Sequence, residues 1–223
     1  MAGELAALAA AAFWAVASIL WTRLGRESGA IALNFLKCAI AALLLAATMW
    51  VLSGQGWPAD LPLPALLWLG LSGVAGLTIG DSAYFHALQH IGPRRTLLIW
   101  ATSPAVSALL AWPILGEPIH RIMVLGMGLT LGGVTWVVLE RSPAERNEPS
   151  LNRLRSTEEW VGIAYASVAV FGQAISNVLV KYGAQAGGDE VGALEASVIR
   201  LAIGALGVGI YLGALGRITE TLV

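Results

Sequence analysis

Seven long apolar runs dominate this sequence, and each has 18 to 27 residues. A helix needs about 20 residues to cross the hydrocarbon core of a bilayer. Lipid offers no partner to an unpaired backbone amide, so each run is predicted to be a helix. The short alternating segments of a transmembrane barrel are not visible. The predicted spans are Leu5–Thr22, Ile31–Leu52, Ala65–Ile91, Thr96–Leu115, Ile119–Leu139, Trp160–Tyr182 and Ala193–Leu215.

The composition excludes other classes of protein. Hydrophobic residues make up 57% of the chain and charged residues 12%, whereas soluble domains carry about 25% charged residues. A soluble enzyme, a disordered chain and a disulfide scaffold are therefore excluded, the last because Cys38 is the single cysteine. The net charge of −1 gives no case for nucleic-acid binding. The predicted fold class is an all-α polytopic transmembrane bundle.

Charged residues gather between the fifth and sixth runs. Residues 141–159 hold four arginines and four glutamates, and we interpret them as a solvated linker between two halves. Cytoplasmic loops are rich in Lys and Arg, and nine loop arginines would share the side of the linker, against Arg121 and Lys181 on the other. This predicts a cytoplasmic linker and an outside N-terminus, in the plasma or bacterial inner membrane. The nine are Arg23, Arg26, Arg94, Arg95, Arg141, Arg146, Arg153, Arg155 and Arg217.

The two halves resemble each other. Residues 13–18 align with residues 171–176, so that Ser18 corresponds to Ser176, and in the next spans Lys37 corresponds to Arg200. Because the first unit has five spans, an odd number, the second unit would enter the membrane in the opposite sense. Such inverted repeats are the architecture of many secondary transporters.

One stretch carries a family resemblance. Residues 80–88 of the third span read GDSAYFHAL. Three short segments follow it: SPAV (103–106) within the fourth span, LGE (115–117) at its end, and LGG (131–133) toward the end of the fifth span. This pattern is similar to the EamA-type branch of the drug/metabolite transporter superfamily. The resemblance implies that residues 1–140 form a first five-span repeat. Residues 160–223 would be the first two spans of a second one, in a chain truncated relative to ten-span members.

Two cations lie about two turns inside their spans. Lys37 and Arg200 could snorkel to the interface. Alternatively, they could flank a central cavity as a symmetric pair and attract anionic or zwitterionic groups of a substrate. An ionisable group in a span is a functional-site hypothesis by default.

Asp81 lies in the middle of the third span, next to Gly80. A carboxylate in a medium of low dielectric constant could take up a proton, which would suit proton-coupled exchange. The alternative is a structural carboxylate that is hydrogen-bonded to backbone or to a neighbouring helix.

Polar and aromatic side chains of the symmetric helices could line the same cavity. These further candidates are Trp14, Ser18, Tyr84, Ser103, Gln173, Ser176 and Asn177. His86 and His90 share a helical face, but no carboxylate or cysteine stands at a matching distance, so neither a metal site nor a cofactor is predicted.

Small residues four apart let helices approach closely in lipid. Three such pairs predict helix contacts: Gly76 with Gly80, Gly128 with Gly132, and Gly209 with Gly213.

The leading hypothesis is a secondary active transporter of small metabolites or drugs that works by alternating access. The alternatives are an intramembrane enzyme and a non-transporting membrane scaffold. No ATP-binding loop, paired carboxylates or nucleophile motif supports catalysis, so no enzymatic activity is predicted. The expected partners are a small-molecule substrate and the lipid bilayer, and a homo-oligomer is left open.

Overall fold

The computed structural model describes residues 2–58, 60–139, 152–187 and 191–214. These residues form helices and their connections, with no β-strand in the described ranges. The helices are α1 (Ala2–Ser28), α2 (Ala30–Ser53), α3 (Leu63–Gly73), a π-helical segment (Val74–Gly80), α4 (Asp81–Trp100), α5 (Ser103–Leu115), α6 (Arg121–Leu139), α7 (Asn152–Gly187) and α8 (Ala193–Ala214).

The chain reverses direction at Gly92, inside α4. Gly92 has φ 74° and ψ 170°, a backbone conformation that favours glycine, and Pro93 follows it. Tyr84 and Trp100 each lie eight residues from this point, yet their ring centroids are 4.9 Å apart. A straight helix would separate residues 84 and 100 by about 24 Å. Residues 81–91 and 93–100 are therefore two arms of a hairpin.

Because of this hairpin, the described helices correspond to the seven predicted spans. Five continuous helical stretches are long and apolar enough to cross a membrane, and two shorter apolar helices accompany them. The longest stretch, Leu63–Trp100, has 38 residues. It divides at Gly92 into a span of residues 63–91, hereafter the central span, and the start of a fourth span that α5 completes. The predicted helical bundle is confirmed, although the fourth span is interrupted at Ala101 and Thr102.

Part of the predicted linker forms helix. Residues 152–159 are the first turns of α7, while residues 140–151 lie outside the described residues, as do Leu215 and Arg217. The division into two repeats and the orientation in the bilayer stay predictions.

The central span packs antiparallel against α7 along a seam of small residues. A Cβ atom added to Gly76 would lie 2.5 Å from Oγ of Ser176, and one added to Gly183 would lie 2.8 Å from the Leu69 side chain. One added to Gly172 would lie 2.8 Å from the backbone oxygen of Ala75. Small residues thus allow the close backbone approach on which packing in lipid depends.

The other predicted small-residue pairs have different outcomes. Gly80 joins the seam, since a Cβ atom there would approach the backbone of Ala169 and Gln173 at 3.5 Å. A Cβ atom added to Gly209 would lie 3.2 Å from the Phe35 ring of α2. The prediction of a contact is wrong for Gly128 and Gly132, since nothing described lies within 4 Å of a Cβ atom at either residue. These two glycines lie on the exposed α6.

Two ion pairs mark the ends of the apolar stretch of α7. Glu159 pairs with Arg95 at one end, and Lys181 pairs with Glu117 at the other. No charged residue lies between positions 159 and 181 of the sequence. Those 22 residues rise about 33 Å, close to the thickness of a hydrocarbon core.

Candidate functional site

A cavity of about 700 Å³ lies between α5, α7 and the first turns of α8. Ligand pockets commonly measure about 300–1,000 Å³. The break between α4 and α5 forms part of its wall, where Pro104 lacks an amide to continue the helix. Its lining residues are Trp100, Ala101, Ser103, Pro104, Ser107, Ala108, Ala111, Glu117, Met123, Gln173, Asn177, Val178, Val180, Lys181 and Arg200.

A chain of hydrogen bonds runs along one wall of the cavity. The Gln173 amide donates to Oδ1 of Asn177 at 3.0 Å, and the Asn177 amide donates to the Ser107 hydroxyl at 3.1 Å. The first bond joins neighbouring turns of α7, and the second joins α7 to α5. The side-chain oxygen of Gln173 and the hydroxyl proton of Ser107 have no partner in these two bonds. This wall can therefore donate a hydrogen bond to a bound molecule through Ser107 and accept one from it through Gln173.

Arg200 reaches the cavity from α8. Its guanidinium donates to the Ser176 hydroxyl at 3.1 Å, and Ser176 in turn donates to the backbone oxygen of Ser72 at 2.7 Å. Ser176 is fully buried on α7, and Ser72 on α3. Arg200 is thus held at the point where α8, α7 and the central span meet.

The Glu117–Lys181 pair lies at one edge of the cavity. Nζ of Lys181 is 2.6 Å and 2.8 Å from the two carboxylate oxygens of Glu117. Both side chains are about half exposed, at 50% and 48%. Gly116, with φ 68°, forms the turn that directs this loop toward α7.

An aromatic cluster lies behind Trp100. The Tyr84 ring is 4.9 Å from that of Trp100, and Trp14 stacks on Trp100 at 6.3 Å. Ser18 donates to the backbone oxygen of Trp14 at 2.8 Å and is 2.7 Å from the Tyr84 hydroxyl. Because the serine proton is used on Trp14, the tyrosine is the donor to Ser18. Ser18 and Tyr84 are almost completely buried, so this cluster supports the cavity wall from behind.

Lys37 and Asp81 form a buried ion pair between α2 and the central span. The Asp81 side chain is 6% exposed and that of Lys37 is 18% exposed. The ammonium group also lies 5.5 Å from the centre of the Phe85 ring, within the range of a cation–π interaction. Lys37 therefore points into the bundle and does not snorkel to the interface.

Asn34 connects the same two spans one turn from Lys37. Its amide donates to the backbone oxygen of Leu77 at 2.8 Å and to the Ser82 hydroxyl at 3.0 Å. Leu77 belongs to the π-helical segment, where the altered turn disrupts the regular bonding of α-helical carbonyls. Asn34 is fully buried, so it satisfies a backbone group that lipid could not.

The structure divides the predicted site residues into three groups. Ser103, Gln173, Asn177 and Arg200 line the cavity, and Ser176 binds Arg200 from outside it. Trp14, Ser18 and Tyr84 form the cluster behind the cavity. Lys37 and Asp81 pair with each other and do not line the cavity. The assignment of roles to these ten residues stays a prediction.

Sequence reasoning missed Ser107, Trp100, the Glu117–Lys181 pair and Asn34. Asn34 could have been found, because a polar amide one turn before Lys37 is unusual in an apolar span. Ser107 had no signal, since isolated serines are common in membrane helices and bond to their own backbone.

His86 and His90 both stack on Tyr165 of α7, with ring centroids 4.9 Å and 5.7 Å from the tyrosine ring. In the part of the chain that the structure describes, no group of three or more His, Cys, Asp or Glu residues could hold a metal ion.

Residues 1–139, more than half of the chain, match the model of the EamA-like transporter family. The chain belongs to the EamA-like transporter family. It is accordingly an integral, multi-pass membrane protein, in agreement with its apolar helices. The members of this family are transporters rather than enzymes. Searches of curated proteins and of solved structures found no match.

Proposed function

We propose that this protein is a secondary active transporter of small metabolites or drugs and that it works by alternating access. The observation that carries the proposal is the cavity between α5, α7 and α8, which combines apolar walls with a hydrogen-bonded polar wall. Family membership makes transport the natural use of such a cavity.

The two ion pairs on α7 suggest how access could alternate. The cavity reaches the half-exposed Glu117–Lys181 pair but not the Arg95–Glu159 pair at the opposite end of α7. In our proposal, the described conformation admits substrate from the Lys181 end. The opposite conformation would separate Arg95 from Glu159 and close the loop that holds Glu117.

The direct test is flux across the membrane of liposomes that contain the purified protein. A library of labelled anionic, neutral and cationic metabolites is offered with and without a proton gradient. Ala108→Trp would fill the cavity, because Ala108 lines it, and we expect that variant to lose flux. Ala47→Trp, at an exposed position of α2, is the matched control and should retain it. Absence of flux for every member of the library would refute transport and favour a scaffold.

We further propose that Asp81 couples transport to protons. A proton on Asp81 would remove the negative charge that compensates Lys37, so protonation would weaken the link between α2 and the central span. In our proposal the link has two states, paired and separated, and a proton gradient would shift the population between them.

The pairing dictates how coupling is tested. Asp81→Asn alone leaves the Lys37 charge without its partner and would confound coupling with misfolding. The double variant Lys37→Met/Asp81→Asn removes both charges. We expect it to insert and to transport without dependence on the proton gradient. Flux that still follows the gradient in the double variant would exclude Asp81 from the mechanism.

A further inference from the structure

Arg200 is an incompletely satisfied cation at the cavity wall. Its Nε atom is buried and has no hydrogen-bond partner among the described residues. Its one described side-chain bond is the donation to Ser176, a neutral hydroxyl. Within the described ranges, no carboxylate lies within the 4.0 Å of an ion pair with this guanidinium.

The other charges near the cavity are already compensated. Glu117 and Lys181 neutralise each other at its edge. Asp81 is paired with Lys37. With these pairs formed, Arg200 adds one positive charge to the cavity wall. Arg200 is partly buried, and a cation removed from water without a counter-charge is stabilised when an anion joins it.

We propose that the cavity selects substrates with one negative charge, above all carboxylates, and that Arg200 is the residue that neutralises this charge. This inference rests on the proposed transport function and specifies its substrate class. The planar guanidinium fork matches a carboxylate, and only one of its terminal nitrogens has a described bond, the one to Ser176. The Ser107 hydroxyl could donate to the same ligand. Trp100, Ala108 and Ala111 would then contact the apolar body of the molecule.

The test measures binding to the purified full chain in detergent, by calorimetry and by thermal stabilisation. Three probes share one ring and almost one size: phenylacetate, phenylacetamide and 2-phenylethylamine, which are anionic, neutral and cationic at neutral pH. We expect phenylacetate to bind at least about 10-fold more tightly than the other two, since hydrogen bonds to charged groups exceed neutral ones by about this factor.

Four variants assign the preference to Arg200. Arg200→Gln should abolish the difference between phenylacetate and phenylacetamide, and Arg200→Lys should keep most of it. Arg26→Gln, the same change at an exposed site on α1, is the matched control and should behave as the wild type. Asn177→Asp, a nearly isosteric change on the cavity wall, places a carboxylate in the cavity. It should weaken phenylacetate binding at least about 10-fold, and it serves if Arg200→Gln does not fold.

Several results would overturn the inference. Equal binding of the three probes, preference for the amine, or a carboxylate preference that survives Arg200→Gln or Asn177→Asp would do so. Failure of all three probes to bind at millimolar concentration would also count against it, since the cavity and its Trp100 wall admit a phenyl ring. The flux assay separates this failure from that of the transport function. Flux of cationic or neutral metabolites alone would refute anion selectivity and leave transport intact.

Discussion

Neutralising either member of the Lys37–Asp81 pair should destabilise the fold more than any other single change of charge we consider. The two side chains are 18% and 6% exposed and join α2 to the central span. Removal of one partner from a buried ion pair costs about 3–5 kcal/mol, because it leaves the other charge uncompensated. We therefore expect Lys37→Met and Asp81→Asn each to lower the free energy of unfolding by about that amount.

The double variant should be more stable than either single variant. With both charges removed, neither residue leaves the other without its counter-charge, and replacement of a whole pair is often nearly neutral. The interaction energy from the double-mutant cycle should reach about 3 kcal/mol, the upper end of the range for residues in contact.

The chain offers a matched pair for comparison. Glu117 and Lys181 are about half exposed, and exposed pairs contribute about 0–1 kcal/mol. Glu117→Gln and Lys181→Met should therefore change the free energy of unfolding by no more than that, singly or together.

The assay is reversible unfolding in mixed micelles by increasing SDS, followed by the fluorescence of the nine tryptophans. The reasoning would be refuted if the two Lys37–Asp81 single variants each lost less than about 1 kcal/mol, as expected for the exposed pair. An interaction energy near zero would refute it as well.

Two further pairs of variants, each a test and its control, examine the packing in the same assay. Gly172→Ala would place a Cβ atom 2.8 Å from the backbone oxygen of Ala75, and such overpacking should cost about 1–3 kcal/mol. Gly128→Ala is the control: its Cβ atom would meet nothing described within 4 Å, so it should be neutral or stabilise the helix by up to about 1 kcal/mol. Equal losses of unfolding free energy in the two glycine variants would contradict the close packing at Gly172. Tyr84→Phe removes the buried bond to Ser18 and should cost about 0.5–1.5 kcal/mol. Tyr182→Phe, which removes an exposed bond to Ile114, should cost less than about 0.5 kcal/mol, and the reverse order would argue against the aromatic cluster.

Much of the fold was predictable because lipid imposes a simple rule. Each apolar run had to be helical, and Gly92-Pro93 and Gly116 had to end helices, since the physical reasons are local. The break at Ala101 and Thr102 had a local signal, because Pro104 follows it and proline interrupts a helix. The π-helical segment had no such signal in the sequence. Asp81 and Lys37 could be recognised as unusual from hydropathy alone, but 44 positions separate them, and no local pattern relates the two.

The sequence by itself determined that the chain crosses a membrane as a helical bundle, that it resembles a transporter family, and which polar residues lie within the spans. Each of these follows from composition, run length or motif. Only the tertiary structure decided what surrounds Lys37 and Arg200, the two cations that the sequence alignment pairs. Lys37 meets a carboxylate on the central span, whereas Arg200 meets a serine and a cavity. The sequence alignment places the two residues at equivalent positions. The energy of a charge inside the bundle depends on the groups around it, however, and those groups belong to helices that are distant along the chain.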